Sequence, residues 1–288
     1  MARQYDTNHT APAVRESSVG LLRGRSVVSS PAARNHIRSA AQLADKLSAA
    51  PALLLSASVP YRRAVPKGLK PAERERFELR NQHYLETTQP ARIRSAVVEL
   101  TRAALMRGVR LVFGAHPAIS PMVLSAARDA GAPELSVVVF QSGIYEDEIP
   151  ASTLELADWQ SGKLFITKVR EGRSAEETKA RSLAFMREMM VSVPGLRAAV
   201  FVGGMDGVEE EAQLFHRAHD GARRYALAST GSAALDLFER DRAAFSGSLR
   251  DARPLAVSRS YALVAKHILD DLGLAMPSAE DRPRKRRR

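Results

Sequence analysis

The sequence predicts an α/β protein: a three-layer sandwich with a mostly parallel sheet of about six or seven strands. Short apolar runs of strand length recur along the chain, and helical apolar spacing separates them. Several of the runs stop at a glycine or a serine, and these residues commonly follow the end of a strand. Alternating strand and helix patterns indicate parallel βαβ crossovers.

Six apolar runs carry the strand prediction, and their residues fit strands that are buried on both faces. They cover residues 52–56, 111–113, 135–140, 164–167, 198–202 and 225–228. Helical spacing predicts helices from His36 to about residue 49, from Ile93 to Gly108 and from about Ser174 to Ser192. Between the first two strands we expect a long polar connection that contains Pro60, Pro66, Pro71 and Pro90.

Composition excludes several classes of protein. The chain has no cysteine, so disulfide scaffolds, thiolate zinc sites and cysteine catalysis are ruled out. There is no run of 18 apolar residues that would span a membrane, and the first residues lack the apolar stretch of a secretory signal. We therefore expect a cytoplasmic protein without membrane contact.

The net charge of +11 is unevenly distributed. Residues 282–288 alone contribute six positive charges, a block that repels itself and stays solvated. The expected organisation is a loose N-terminal arm over residues 1–35, one α/β domain over 36–275 and a basic tail over 276–288. The tail either adds solubility or binds the phosphates of a nucleic acid.

Ligands of open parallel sheets bind beyond the carboxyl ends of the strands. Small or polar residues lie at these ends, where a ligand can approach the backbone amides. The candidate ligand-binding residues are Ser56, Ser58, Gly114, His116, Gln141, Ser142, Gly203, Gly204, Asp206, Gly207, Thr230 and Gly231.

The strongest candidate among these segments is the glycine-rich turn at residues 203–207. Three glycines in five residues permit backbone torsions that a Cβ would forbid. Such glycines either let a ligand approach the backbone or only form the turn between strand and helix. The acids Glu209 to Glu211 either interact with the helix dipole or contact the ligand. Because their negative charges would repel an anionic ligand, such a ligand would need a cation nearby.

The pattern Gly203-Gly204-x-x-Gly207-Val208-x-x-Glu211 resembles the signature of the SLOG superfamily. That superfamily includes the "lonely guy" phosphoribohydrolases, lysine-decarboxylase-like proteins and DprA-type DNA-processing proteins. Residues 54–60 and 112–119 are similar more particularly to the SLOG cluster 3 family. The resemblance spans roughly residues 50–275.

The resemblance implies a Rossmann-like fold that binds a nucleotide-derived ligand such as ADP-ribose or NAD. It also implies a sensor in a bacterial defence or signalling system, with an effector protein in trans or a homo-oligomer as its output. The alternatives are a nucleotide N-glycoside hydrolase, or a DprA-like DNA-binding protein that uses the basic tail. No cofactor is predicted.

In the hydrolase branch an arginine of the preceding helix acts with the motif glutamate, and Arg187 and Glu211 match these two positions. The chain departs from the hydrolase pattern at Val202 and Val208, where that pattern has a proline and a hydroxyl residue. A carboxylate can stabilise an oxocarbenium-like sugar or activate water. Glu211 and Arg187 are therefore the catalytic candidates if the protein is an enzyme. His216 and His219 lack a third ligand nearby, so no metal site is predicted.

Overall fold

A computed structural model describes residues 34–66, 68–159 and 162–274. Seven strands form one sheet in which every pairing is parallel, with the spatial order β1-β5-β4-β3-β2-β6-β7. The strands are β1 (Arg34–Ile37), β2 (Ala52–Ser58), β3 (Arg110–Gly114), β4 (Val137–Ser142), β5 (Gly162–Thr167), β6 (Leu196–Gly203) and β7 (Arg223–Leu227). The predicted fold class and strand number are confirmed.

Helices cover both faces of this sheet. They are α1 (Ala40–Lys46), α2 (Pro71–Thr87), α3 (Pro90–Met106), α4 (Ser120–Ala130), α5 (Ala151–Asp158), α6 (Ala175–Val191), α7 (Asp206–Ala218), α8 (Ser232–Arg240), α9 (Arg253–Val257) and α10 (Tyr261–Asp271). Helices α3, α4, α5 and α10 pack in succession, while α6 packs on α7. Right-handed crossovers place these two groups on opposite faces of the sheet.

The central strands are buried on both faces, as their continuous apolar runs predict. All residues of β4 are buried, and so are the first five residues of β2. Aromatic rings fill the space above the sheet, for example Phe140 and Phe165, whose centroids lie 5.5 Å apart. The core therefore lies on both sides of the middle of the sheet.

The order of the strands reverses between β2 and β6. From β2 the chain adds β3, β4 and β5 in one direction, and after α6 it returns to place β6 on the other side of β2. In doubly wound sheets the crevice at such a reversal is where ligands bind. The carboxyl ends of β2 and β6 are therefore the first place to look for a site.

Two predicted segments differ from the structure. Residues 34–37, which include the predicted helix start at His36, form strand β1 on β5, and α1 begins only at Ala40. The long polar connection predicted between the first two strands contains the 17-residue helix α2, which was not predicted and in which Asn81 and Tyr84 are the buried residues. With so few apolar positions on one face, α2 carries no periodic signal in the sequence.

Helix α6 agrees with its prediction. Ser174 precedes its first residue, and the Ser174 hydroxyl accepts a hydrogen bond from the Glu177 amide at 3.1 Å. The Glu177 carboxylate in turn accepts a hydrogen bond from the amide of Arg173. These contacts satisfy amides that the first turn leaves free.

Residues 1–33 and 275–288 lie outside the described ranges, and with them most of the predicted arm and the basic tail. No described helix combines the length and the apolar character that crossing a membrane requires.

Candidate functional site

The glycine-rich turn joins the end of β6 to the start of α7. Gly203 has a φ of +57° and Gly204 a φ of +89°, values in the left-handed region that favours glycine. A Cβ on Gly204 would also lie 2.2 Å from the Val208 side chain. The two glycines therefore allow strand and helix to meet at a close turn.

Thr230 and Gly231 support this turn from the neighbouring strand end. The Thr230 hydroxyl accepts a hydrogen bond from the Gly203 amide at 2.8 Å and donates to the Leu227 carbonyl at 2.6 Å. A Cβ on Gly231 would stand 1.9 Å from the Thr87 carbonyl oxygen at the end of α2. Both residues were candidates for ligand contact, and both already have structural partners.

The strand register brings several predicted residues to one face of the carboxyl edge. Ser58 pairs with Gly203, and Gly114 pairs with Phe140. Ser142 lies two residues beyond Phe140, so its side chain points to the same face as that of Phe140. Extending the β2–β3 register by two residues sets Ser56 beside Gly114.

Helix α6 covers this face. A Cβ built on Gly114 would make ordinary contacts of 3.6 and 3.7 Å with Met190 and Met186. Between these two methionines, Arg187 forms an ion pair with Glu210, and its Nε lies 3.6 Å from Glu211 Oε1. We call Ser56, Gly114, Ser142, Arg187, Gly207 and Glu211 the carboxyl-edge cluster.

Three polar atoms of this cluster are buried without a hydrogen-bond partner among the described residues. They are Ser56 Oγ, Ser142 Oγ and Arg187 Nε. The Ser56 hydroxyl faces the Glu211 carboxyl but makes no hydrogen bond of ordinary geometry with it. Buried polar groups are nearly always satisfied in folded proteins, so this grouping requires an explanation.

Glu211 is largely buried beside these groups. Burial raises the pKa of its carboxyl, against the opposing effect of the Arg187 guanidinium and the Ser56 hydroxyl. A raised pKa makes the carboxyl a better proton donor near neutral pH. The predicted pair Arg187 and Glu211 is thus adjacent in the structure.

Cations that the sequence analysis did not identify surround Asp206, the first residue of α7. Arg63 Nη1 lies 2.6 Å from Asp206 Oδ2, and Arg80 Nε lies 2.9 Å from Oδ1. Arg63 follows β2 and also stacks over Phe77, while Arg80 lies on α2. The acidic residues at the start of α7 predicted that cations lie nearby, but the sequence did not indicate which arginines supply them.

Glu209 anchors α2 and α8 to α7. Its carboxylate receives hydrogen bonds from Arg80 at 2.6 Å, Tyr84 at 2.7 Å and Arg240 at 2.9 Å. Burial opposes ionisation, but these hydrogen bonds prevail and lower the pKa of Glu209. Glu209 therefore has partners of its own, whereas Glu210 and Glu211 share Arg187, beyond any interaction with the helix dipole.

Two further candidates, Gln141 and His116, have hydrogen-bond partners within the chain. Gln141 alternates with Ser142, so its side chain lies on the opposite face of the sheet, where it donates to the Tyr145 carbonyl at 3.2 Å. His116 Nδ1 accepts from the Ala118 amide at 3.1 Å. Burial lowers the pKa of His116, which keeps the ring neutral at physiological pH.

No metal-binding arrangement is present within the described ranges, where no three histidine, aspartate or glutamate side chains are grouped to hold an ion. His219 Nε2 lies 2.6 Å from the Val191 carbonyl oxygen, which accounts for that ring.

A doubly wound parallel sheet with a glycine-rich strand-to-helix turn at its reversal point defines a Rossmann-like α/β domain. A family model described as the SLOG cluster3 family matches residues 83–257, more than half of the chain. The chain belongs to the SLOG cluster3 family, and the resemblance seen in the sequence is confirmed. Family membership makes it a nucleotide-related Rossmann-like domain. A comparison with curated proteins found no match.

Proposed function

We propose that the carboxyl-edge cluster binds a phosphorylated, nucleotide-derived metabolite of the ADP-ribose or NAD type. In this proposal the protein is a ligand sensor of a bacterial defence or signalling system, and it acts on an effector protein in trans. The sensor role rests on the resemblance to sensor-type SLOG proteins, while the ligand chemistry rests on the site itself.

The observation that carries the proposal is a set of buried polar atoms that make no hydrogen bond. They are Ser56 Oγ, Ser142 Oγ and Arg187 Nε, of which Arg187 Nε has only a longer ion-pair contact of 3.6 Å with Glu211. A buried donor or acceptor without a partner costs roughly 1–3 kcal/mol. Such a cost is expected where a ligand completes the hydrogen bonds. Hydroxyls and a guanidinium together suit ribose oxygens and phosphate.

Position and charge favour the same ligand. The cluster lies at the strand-order reversal, beside the first turns of the 13-residue helix α7, whose free amides and dipole favour an anion. Arg63 and Arg80 neutralise Asp206, which would otherwise repel a phosphate. Arg187 remains as the cation closest to Gly207, and its guanidinium can turn from Glu210 to an incoming phosphate.

Titration calorimetry of the full-length protein with AMP, ADP-ribose and NAD tests this proposal. We expect saturable binding of at least one of them, and weaker binding by the variants Ser56→Ala and Ser142→Ala. Ser125→Ala, at an exposed position on α4, is the matched control and should bind as the wild type does. If none of the three compounds binds, or if all three variants bind equally well, the proposal is wrong.

A nucleotide N-glycoside hydrolase is the second candidate, favoured by the raised pKa of Glu211 next to Arg187. Glu211 would protonate the departing base or stabilise the oxocarbenium-like sugar, while Arg187 binds the phosphate. Chromatography of the same incubations separates the candidates. Free base that disappears in Glu211→Ala favours the hydrolase, whereas binding without products favours the sensor.

A further inference from the structure

Three side chains that the carboxyl-edge cluster does not include lie near the same edge of the sheet. Tyr61 follows the last residue of β2 by three positions, and Tyr145 follows the last residue of β4 by three positions. Lys179 lies on the second turn of α6. We call Tyr61, Tyr145 and Lys179 the outer group.

Lys179 connects the two tyrosines. Its Nζ lies 5.8 Å from the centroid of the Tyr145 ring. Interaction with the Tyr145 side chain raises the pKa of Lys179, and the nearby Tyr61 and Glu148 side chains act in the same direction. Lys179 is also exposed, so its ammonium group is accessible to a ligand. The outer group therefore brings together residues of three separate segments around one cation.

The segment that carries Tyr145 is packed closely on the strand ends. Tyr145 belongs to a 3₁₀ helix (Gly143–Glu148), and a Cβ on Gly143 would stand 2.7 Å from the Thr167 carbonyl oxygen at the end of β5. The Tyr145 carbonyl accepts a hydrogen bond from the Gln141 side chain at 3.2 Å. These contacts fix the backbone from which the Tyr145 ring extends.

Tyr61 combines a firmly placed backbone with an exposed ring. Pro60, the residue before it, is buried, whereas Tyr61 is 58% exposed. A tyrosine ring offers a large, rigid apolar face on which another flat ring can stack. Covering this face would remove apolar surface from water, which favours association.

Helix geometry relates the outer group to the carboxyl-edge cluster. Lys179 and Met186 are about two turns apart, so both lie on the face of α6 that covers Gly114. Because α6 leads from the end of β5 back to the start of β6, Lys179 lies beyond the strand ends. Its distance from Arg187 along the helix axis is about 12 Å. A nucleotide whose phosphate lies on Arg187 can extend along α6, with its sugar between, to the outer group.

We propose that Tyr61 and Tyr145 form the base-binding end of the nucleotide site, with Lys179 as a hydrogen-bond donor to the base. This inference rests on the proposed function, and it identifies the ligand as one with an aromatic base rather than a bare sugar phosphate. Aromatic side chains stack on the face of any base. An ammonium group only donates, so Lys179 favours a ring nitrogen or a carbonyl oxygen of the base.

AMP and ribose 5-phosphate, which lacks the base, are the probes for titration calorimetry of the full-length protein. We expect AMP to bind roughly tenfold or more tightly than ribose 5-phosphate, since stacking on an aromatic side chain has about this effect. Tyr61→Ala should weaken AMP binding by roughly tenfold and leave ribose 5-phosphate binding unchanged. Equal affinities of the wild type for the two probes, or unchanged AMP binding by Tyr61→Ala, would overturn the proposal.

Two control variants accompany Tyr61→Ala. Tyr61→Phe keeps the ring and should bind AMP as the wild type does. Leu79→Ala removes a comparably exposed apolar side chain on α2, 60% exposed, and should leave both affinities unchanged. A loss of AMP binding in Leu79→Ala as large as that in Tyr61→Ala would contradict a specific role for the tyrosine ring.

Lys179→Met tests the third residue of the outer group. It removes the donor but keeps a long side chain, so AMP binding should weaken several-fold while ribose 5-phosphate binding stays unchanged. Equal losses for both probes would mean that Lys179 contacts the phosphate rather than the base, and the proposal would be wrong.

The two probes also separate this proposal from the proposed function. If neither AMP nor ribose 5-phosphate binds, the nucleotide site itself is wrong, and its base-binding end with it. If ribose 5-phosphate binds and AMP gains nothing from its base, the phosphate site stands and only the role of the outer group is wrong.

Discussion

The Arg187 guanidinium lies so close to Gly207 that a Cβ on this glycine would stand 2.9 Å from Arg187 Nη2. The third glycine of the turn thus makes room for the arginine that faces Glu210 and Glu211. Gly207 does not have the positive φ that Gly203 and Gly204 have.

Gly207→Ala should therefore separate binding from stability. Alanine is preferred to glycine in a helix by about 1 kcal/mol, so thermal unfolding should show an equal or higher Tm. The methyl group should displace Arg187 and weaken the binding of ADP-ribose or AMP in calorimetry. Gly204→Ala, at a φ of +89° and against Val208, should instead lower the Tm. Unimpaired nucleotide binding by Gly207→Ala would contradict the role given to Arg187.

Ser142→Ala should stabilise the ligand-free protein, because it removes a buried hydroxyl that has no partner. We expect the free energy of unfolding in urea denaturation to rise by up to roughly 1–3 kcal/mol. The comparison variant is Ser120→Ala, whose buried hydroxyl accepts from Thr153 at 2.8 Å. That substitution leaves the buried Thr153 hydroxyl without its acceptor and should lower the free energy of unfolding by roughly 1–3 kcal/mol. Equal losses in both variants would mean that Ser142 has a partner.

Glu209→Gln should destabilise the protein at neutral pH by roughly 1–3 kcal/mol, because three hydrogen bonds to a buried carboxylate are weakened. The folded-state pKa of Glu209 is lowered, so its stabilising effect is present above the unfolded-state pKa of about 4.3 and is lost as the pH falls through the folded-state pKa. Urea denaturation across this range should show the difference from wild type shrinking below about pH 4.

The control for Glu209 is Glu78→Gln, since Glu78 is half exposed and paired with Arg74 on the surface of α2. Exposed pairs of this kind contribute roughly 0.3–0.5 kcal/mol. A loss in Glu209→Gln no larger than in this control would show that the Glu209 contacts do not stabilise the fold.

Glu211→Gln should have the opposite pH dependence. The pKa of Glu211 is raised by burial, so the folded state binds the proton more tightly than the unfolded state does. Stability of the wild type relative to the variant should therefore fall as the pH rises from about 4.3 through the raised pKa. The measurement is urea denaturation of both proteins at several pH values. If the stability of the wild type relative to the variant instead rises with pH, Arg187 stabilises the ionised carboxylate more than burial disfavours it.

The sequence predicts the strands, the glycine turn and the edge at which they meet, because buried parallel strands and glycine breaks have strong local signals. Helix α2 lacked such a signal, since its buried face consists of Asn81 and Tyr84. Strand β1 was missed because four residues with one buried position, Ile37, show no alternation.

Long-range ion pairs account for the rest of what the sequence could not predict. Arg63 and Asp206 are 143 positions apart, and nothing in the chain marks Arg63 among its many arginines. The predicted strand ended at Phe140, whereas β4 continues through Ser142. Gln141 is therefore part of the strand, and its side-chain direction follows from the alternation along β4. Gln141 and Ser142 therefore point to opposite faces.

The most direct test of the central claim is a crystal structure of the protein grown with ADP-ribose. We predict the ligand at the carboxyl ends of β2 and β6, with a phosphate on Arg187 near Gly207 and with Ser56 and Ser142 in hydrogen bonds to it. ADP-ribose bound elsewhere, with Arg187 still paired to Glu210 and both serine hydroxyls unpartnered, would contradict the account.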